Sequence, residues 1–491
     1  MSVENLRRTV VATVVALSHN AASGADAGLA YDNHEINIGD AVSRTVLHGR
    51  LTGGETDDLI VFTHADSTRQ MAVYTYHETA WSRCHLGDVA RGIIFVDMME
   101  LGGEDRLLAL RRGGIDWIDP ATWVPRTWLA SPSMYKLPPQ DVPDFDFARD
   151  VNGDGLDDIA LPGFDGYTVW TQRPDGTLND PVELAAPATA RVGFRSATYR
   201  ARDLYQLDHD GDGYSDLAFW HEGGLVVYPG AASGSFVPDP IELLAPFELS
   251  TDDVTVSFGF GQEFDETRSL LYRVDDFNGD GIGDIATSTI EVAGVFDQST
   301  RYDFHFGRRE AGATVFRAVP DTSISSEGVQ GPLELSDLDG DGRLDFGMLS
   351  FKMGIGKIVA VLLTGSVGFN MNFYLMGEGG YARKPNVQRR VKLRLDLGSG
   401  RVSGNWVSAG DLTGDGIKDL VVQVDGTRVD VYPGTGGADL FTQRPVEVDV
   451  NLSDQGSVRL ADLNHDGKDD MFMAYRHPDG ETLRVGVALS R

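Results

Sequence analysis

One nine-residue pattern occurs six times in the chain, once with a substitution: Asp, any, Asp or Asn, any, Asp, Gly, any, any, Asp, followed by an apolar run. Positions 1, 3, 5 and 9 hold Asp150, Asn152, Asp154 and Asp158 in the first copy, then Asp208, Asp210, Asp212 and Asp216 in the second. The next two copies carry Asp276, Asn278, Asp280 and Asp284, and Asp337, Asp339, Asp341 and Asp345. The last two carry Asp411, Thr413, Asp415 and Asp419, and Asp462, Asn464, Asp466 and Asp470. Oxygens on alternate residues of a tight loop can converge on one point, and calcium takes about six to eight oxygens, so these side chains read as ligands of up to six Ca²⁺. Position 7 is Leu156, Tyr214, Ile282, Arg343, Ile417 or Lys468, a mixture expected if only its backbone carbonyl is used. Position 6 is Gly in all six copies, which suits a sharp backbone reversal.

A helix-flanked calcium loop would need a Glu at position 12. Here that position holds Leu161, Phe219, Thr287, Met348, Val422 and Met473, each in a strand-like run. The loops therefore belong to β-hairpins. Two degenerate copies lie upstream, aligned with Asp58 and Asp105 at the last position: Arg50, Thr52 and Gly54 replace ligands in one, and the other keeps only Asp97. Both are expected to keep the hairpin and lose the metal. The eight final acids are 47, 53, 58, 68, 61, 74 and 51 residues apart, the length of a four-stranded blade.

A second motif trails the first, as in Leu225 to Gly230 before Phe236 and Val429 to Gly434 before Phe441. Each unit reads as strand, acidic loop, strand, turn, strand, turn, strand, with Ile159 to Leu161, Leu217 to Trp220, Leu420 to Val422 and Met471 to Met473 as buried central strands. The expected fold is an all-β propeller of four-stranded antiparallel blades, eight favoured over seven. The last unit ends at Arg491 after its third strand, so an N-terminal strand, His34 to Ile38 or the Val10 to Leu17 run, is expected to complete that blade and remove an open edge.

These loops, with the trailing Tyr-Pro-Gly and Gly-x-Phe segments, resemble FG-GAP/VCBS repeats, as in integrin α-subunit propellers, over roughly residues 45 to 491. The resemblance implies calcium in the blade hairpins and a role in adhesion, ligand recognition or carbohydrate binding. Thr413 departs from the pattern and weakens its loop. Residues 31–491 would form the propeller, and residues 1–30 a leader: Arg7 and Arg8 precede an apolar stretch and small residues ending at Ala27, which suits a secretory signal as well as it suits a strand. A secreted or cell-surface location follows from that reading.

Charge narrows the partners. With 42 Lys and Arg against 74 Asp and Glu, the net charge of −32 repels nucleic acid and anionic membranes and leaves protein or carbohydrate ligands. Six Ca²⁺ would bring it to about −20. The single cysteine, Cys84, forms no internal disulfide, so metal is the natural staple. No apolar run reaches the ~20 residues of a membrane helix. No nucleophile elbow, zinc helix or phosphate loop is present, and Gly354 to Lys357 lacks the partners a phosphate loop needs. The expected function is binding without catalysis, with a calcium-containing propeller enzyme such as a polysaccharide lyase, or a component of a surface assembly, as alternatives. The densest basic run is Arg383, Lys384, Arg389, Arg390, Lys392 and Arg394. It reads as an amphipathic strand with a solvated face, or as an inserted segment that projects toward an acidic partner.

Overall fold

The computed structural model describes residues 29–40, 45–65, 68–138, 140–192, 197–250, 266–292, 298–327, 329–351, 366–396, 401–403, 407–453, 458–477 and 482–491. The Val10 to Leu17 run and Gly354 to Lys357 lie outside these residues. Among those described there is no helix, and the strands form eight antiparallel blades, so the chain is an eight-bladed β-propeller.

Blade 1 runs Thr45–Gly49, Asp58–Ala65, Thr68–His77, Ala80–Asp88, and blade 2 runs Ile93–Leu101, Glu104–Arg111, Gly114–Asp119, Val124–Ala130. Blade 3 is Ala148–Arg149, Asp158–Pro162, Tyr167–Trp170, Val182–Leu184, and blade 4 is Tyr205–Leu207, Asp216–His221, Gly224–Tyr228, Ile241–Leu244. Blade 5 is Glu266–Asp275, Asp284–Val292, Gln298–His305, Thr322–Glu327. Blade 6 is Val329–Ser336, Asp345–Phe351, Ser366–Tyr374, Val387–Asp396, with a fifth strand Arg401–Ser403. Blade 7 is Val407–Gly410, Asp419–Gln423, Arg428–Tyr432, Val446–Asp449. Blade 8 takes Arg459–Ala461, Asp470–Arg476 and Leu483–Ser490 from the C-terminal end and Tyr31–Gly39 as its fourth strand. The strands of each blade are called A to D in that order.

The core lies between the blades. Strand B is buried on both faces, so its alternate side chains serve two seams. In blade 1, Leu59 and Val61 pack against Phe472, Val485 and Val487 of blade 8, while Ile60 and Phe62 pack against Val96 and Leu107 of blade 2. The same division recurs at every seam, giving eight apolar clusters for eight blades. Each fully buried Leu, Ile or Phe in them contributes about 1.5–3 kcal/mol.

Closure uses Tyr31–Gly39, which pairs antiparallel with Leu483–Ser490. Ile36 is fully buried in the seam between blades 8 and 1. Glu35 bonds Arg484 and accepts from Tyr475 Oη at 2.5 Å, and Asp32 pairs with Arg491.

Of the two readings of the basic run the strand holds: Val387–Asp396, which carries Arg389, Arg390, Lys392 and Arg394, is strand D of blade 6, paired with Ser366–Tyr374. Arg389 turns into the seam with blade 7, donating to the carbonyls of Phe441 (2.9 Å) and Thr442 and lying 4.5 Å from the Tyr432 ring centre. Arg383, Lys384 and Arg390 are exposed. Cys84 is exposed on strand D of blade 1.

Candidate metal centres in the blade hairpins

All six acidic loops join strand A to strand B of their blades, with position 9 as the first residue of strand B. The loops succeed one another around one face: Gly153 lies against Ser215, Gly279 against Gly342, and Gly414 against Lys468.

The six loops share a backbone frame that the aspartates themselves build. Position 1 accepts from the position 6 amide, with Gly155, Gly213, Gly281, Gly342, Gly416 and Gly467 donating at 2.8, 3.1, 2.8, 2.8, 2.8 and 2.9 Å to Asp150, Asp208, Asp276, Asp337, Asp411 and Asp462. Position 5 accepts from the position 7 amide: Leu156, Tyr214, Ile282, Arg343, Ile417 and Lys468 donate at 2.9 to 3.0 Å to Asp154, Asp212, Asp280, Asp341, Asp415 and Asp466. At position 3, Asn152, Asp210, Asn278, Asp339 and Asn464 accept from the position 5 amide. Thr413 instead points its hydroxyl at Asp411 and Asp419, 3.5 and 3.4 Å away.

The position 6 glycines have φ between 79° and 85°, a left-handed conformation that disfavours any other residue. A Cβ at Gly155 would meet nothing within 4 Å, so the requirement there is backbone conformation and not space. Position 4 has the same need: Gly153, Gly211, Gly279, Gly340 and Gly414 have φ of 71° to 80°, and His465 fills the place at 57°.

Position 9 is the buried member. Asp158, Asp284, Asp419 and Asp470 are 0% exposed. One oxygen accepts from the position 2 amide, donated by Val151, His209, Phe277, Leu338, Leu412 or Leu463. The other accepts an amide at or just beyond the end of strand C: Gln172, Gly230, Gly307, Met376, Gly434 or Ser490. Burial raises these carboxyls, opposed by the amides and, except at Asp470, reinforced by neighbouring carboxylates: Asp284 reaches about 8, Asp158 and Asp345 about 7, Asp419 and Asp470 about 6. At position 1 of blade 5, burial likewise raises Asp276, with Asp280 adding to it. In blade 4, burial would raise Asp208, but the Gly211 and Gly213 amides and the Arg309 guanidinium outweigh it, and its pKa is lowered.

A cation fits this donor set. The carboxylates of Asp337, Asp339 and Asp345, and those of Asp208, Asp210 and Asp212, bring ligand oxygens within 4.8 Å of one another. All the donors are hard oxygens, the kind calcium prefers. A buried carboxylate such as Asp284, bonded to neutral amides, is the group a nearby cation would stabilise.

The degenerate hairpins divide. In blade 1, Asp58 pairs with Gly49 in register and accepts from Thr52 N and Oγ1 at 2.7 and 2.8 Å, so it keeps the position 9 role. In blade 2 the alignment is corrected: Met99 pairs with Arg106 and Glu100 with Asp105, so Arg106 stands at position 9 and Asp105 at position 8. The reason is a shorter hairpin, turning through Gly102 and Gly103. Asp105 accepts from Arg50 N of blade 1 at 2.6 Å, as Asp157 does from Glu100 N and Asp469 from Asp411 N at 2.7 and 2.8 Å. Asp97, read as a retained ligand, lies within strand A and accepts from the Phe147 and Ala148 amides of blade 3, both at 2.8 Å.

These position 8 links went unread, although the doublets Asp57-Asp58, Asp157-Asp158 and Asp469-Asp470 mark them in the sequence. Asp57 shows the fullest version, held by His48 Nδ1 of its own blade and His465 Nε2 of blade 8, each at 2.8 Å. The second motif is the turn between strands C and D, closed by the bridges Gly230 to Phe236 and Gly434 to Phe441. It rests on the acidic loop of the preceding blade: Asn152 Nδ2 donates to the Gly234 carbonyl at 2.9 Å.

Comparison with known proteins finds no matching family model and no matching curated protein. Among solved structures, the chain is similar to the Vibrio cholerae biofilm matrix protein Bap1 at 14% identity, over 91% of this chain and 76% of that one, with a TM-score of 0.27. It is similar to a rhamnogalacturonan lyase of Bacillus licheniformis at 10% identity, over 91% and 90% of the two chains, with a TM-score of 0.25. A putative 6-phosphogluconolactonase from Bacteroides uniformis aligns at 10% identity, over 83% and 96%, with a TM-score of 0.30. The fold assignment rests on the sheet topology and not on these similarities. Among the described residues no helix is long and apolar enough to cross a membrane.

Proposed function

We propose that this chain is a calcium-stapled β-propeller that works by binding, presenting a stiffened face to a protein or carbohydrate ligand outside the cell. The observation that carries the calcium half is the repeated loop: six hairpins in corresponding positions hold oxygen donors on a shared amide frame, with Thr413 the departure at position 3, and each ends in a buried carboxylate. Side chains at positions 1, 3, 5 and 9 and the carbonyl at position 7 would hold the ion, with Thr413 the weak member of its set. Bound calcium supplies charge neutralisation and cross-links the loop, which makes metal binding part of folding.

The binding half follows from the charge, which excludes nucleic acid, and from a scaffold built around eight packed seams. Purified protein screened against immobilised glycans, soluble polysaccharides and candidate surface proteins tests it. Saturable capture that is lost with chelator supports the proposal. Turnover of any polysaccharide replaces it with an enzymatic reading.

A further inference from the structure

The loop of blade 4 differs from the others at both ends of its donor set. A hairpin between strands C and D of blade 5, Arg308–Glu310 paired with Ala313–Val315, reaches over it. From there Arg309 Nη2 donates to the Asp208 carbonyl at 2.9 Å and to Asp208 Oδ1 at 3.2 Å. Its Nη1 donates to Thr314 Oγ1 at 3.1 Å, and Thr314 Oγ1 donates to the His209 carbonyl at 2.8 Å, so the hairpin grips the loop at two points. Arg309 and Asp208 side chains are 24% and 21% exposed. A Cβ on Gly211 would come within 3.2 Å of the guanidinium, which therefore lies against the turn of the loop. At the far end, His209 Nδ1 lies 2.6 Å from Asp216 Oδ2, where the other loops have apolar residues at position 2.

We propose that Arg309 is a built-in cation for the blade 4 loop, neutralising Asp208 from the blade 5 hairpin beside the point where the oxygens of Asp208, Asp210 and Asp212 converge. A guanidinium is permanently charged and carries several donors, so it can neutralise Asp208 and brace the loop without calcium. Loop 4 then keeps its shape when calcium is scarce and binds the ion against the charge of Arg309, which makes it the last loop to fill. This inference rests on the calcium reading of the other loops.

The test is calorimetric titration of the metal-stripped full chain with calcium, for wild type, Arg309→Gln, Asp208→Asn, the double variant, and Asp150→Asn as reference. Asp150→Asn should remove one tight site and Asp208→Asn none. Arg309→Gln should tighten one further site about tenfold or more, the weight of one charged hydrogen bond. The double variant should lose that gain. If Asp208→Asn removes a tight site as Asp150→Asn does, or if Arg309→Gln leaves calcium binding unchanged, the inference is overturned. Melting in chelator gives a metal-independent arm: Arg309→Gln should lower the melting temperature, and adding Asp208→Asn should restore most of the loss, whereas additive effects would overturn the role. Should wild type bind no calcium at all, the calcium reading fails, and the chelator melts alone decide whether Arg309 neutralises Asp208.

Discussion

Position 9 of each loop has a scaffold job and, in the proposal, a ligand job, and the two can be separated. Asp284 joins the Phe277 amide of its loop to the Gly307 amide beyond strand C, at 3.1 and 2.8 Å, whereas Asp280 is bonded only within the loop. Asp284→Ala should therefore cost about 2–4 kcal/mol even in chelator, because two buried amides lose their acceptor. Asp280→Ala should cost well under that in chelator and lower the melting temperature chiefly in calcium, as paired melts would show. The same burial sets a pH dependence. An acid whose folded pKa lies above its unfolded value of about 3.9 binds more protons when folded between those limits, so stability falls as pH rises through that window. With Asp284 at about 8, Asp158 and Asp345 at about 7, and Asp419 and Asp470 at about 6, calcium-free protein should melt progressively lower from about pH 4 to about pH 8. Calcium should flatten that decline, and its binding near pH 6.5 should release protons, measurable as a dependence of the binding heat on buffer ionisation. The positions proposed as ligands stand out in the sequence because metal geometry would restrict residue type at fixed spacing. The scaffold job of position 9 does not, since an aspartate that accepts two amides looks the same as one that waits for an ion.

Hairpins and single side chains together tie one blade to the next. The turn between strands C and D rests on the acidic loop of the blade before it, and Arg389 in strand D of blade 6 reaches the turn of blade 7 at Phe441 and Thr442. Arg389→Ala should cost about 1–3 kcal/mol, since two carbonyls lose a charged donor and Tyr432 loses its cation. Arg390→Ser, at an exposed position, should change melting within about 0.5 kcal/mol. Equal effects of the two would contradict the seam role. Strand B of blades 3, 4, 7 and 8 was readable from its apolar run, because burial on both faces favours apolar residues. The hairpin that carries Arg309 was not, because its three-residue strands are too short and too charged to show a period. The blade 2 hairpin was misaligned for a related reason: Asp105 matches the residue type of position 9, and only the pairing of Met99 with Arg106 reveals the shorter turn.

At the scale of the ring, closure depends on Tyr31–Gly39 covering the edge of Leu483–Ser490. A chain lacking residues 1–39 exposes that edge and loses buried Ile36, so its melting temperature should fall by roughly 5–10 °C and it should self-associate in sedimentation. A peptide of residues 29–41 added in excess should reverse both effects. Closure from the N-terminal side was foreseeable because the last unit is one strand short, whereas the His48, Asp57 and His465 lock beside it joins residues far apart in sequence. The molecule as a whole carries −32 charges, with acidic loops in six of its blades, and in the proposed function cations there stabilise the ring at neutral pH. Metal content and thermal melting of the same full-length sample, before and after chelation, weigh that claim most directly. The account predicts about five or six calcium ions per chain and a melting temperature lower by about 10 °C or more once they are removed. A metal-free sample whose melting is unchanged by calcium or chelator would contradict it.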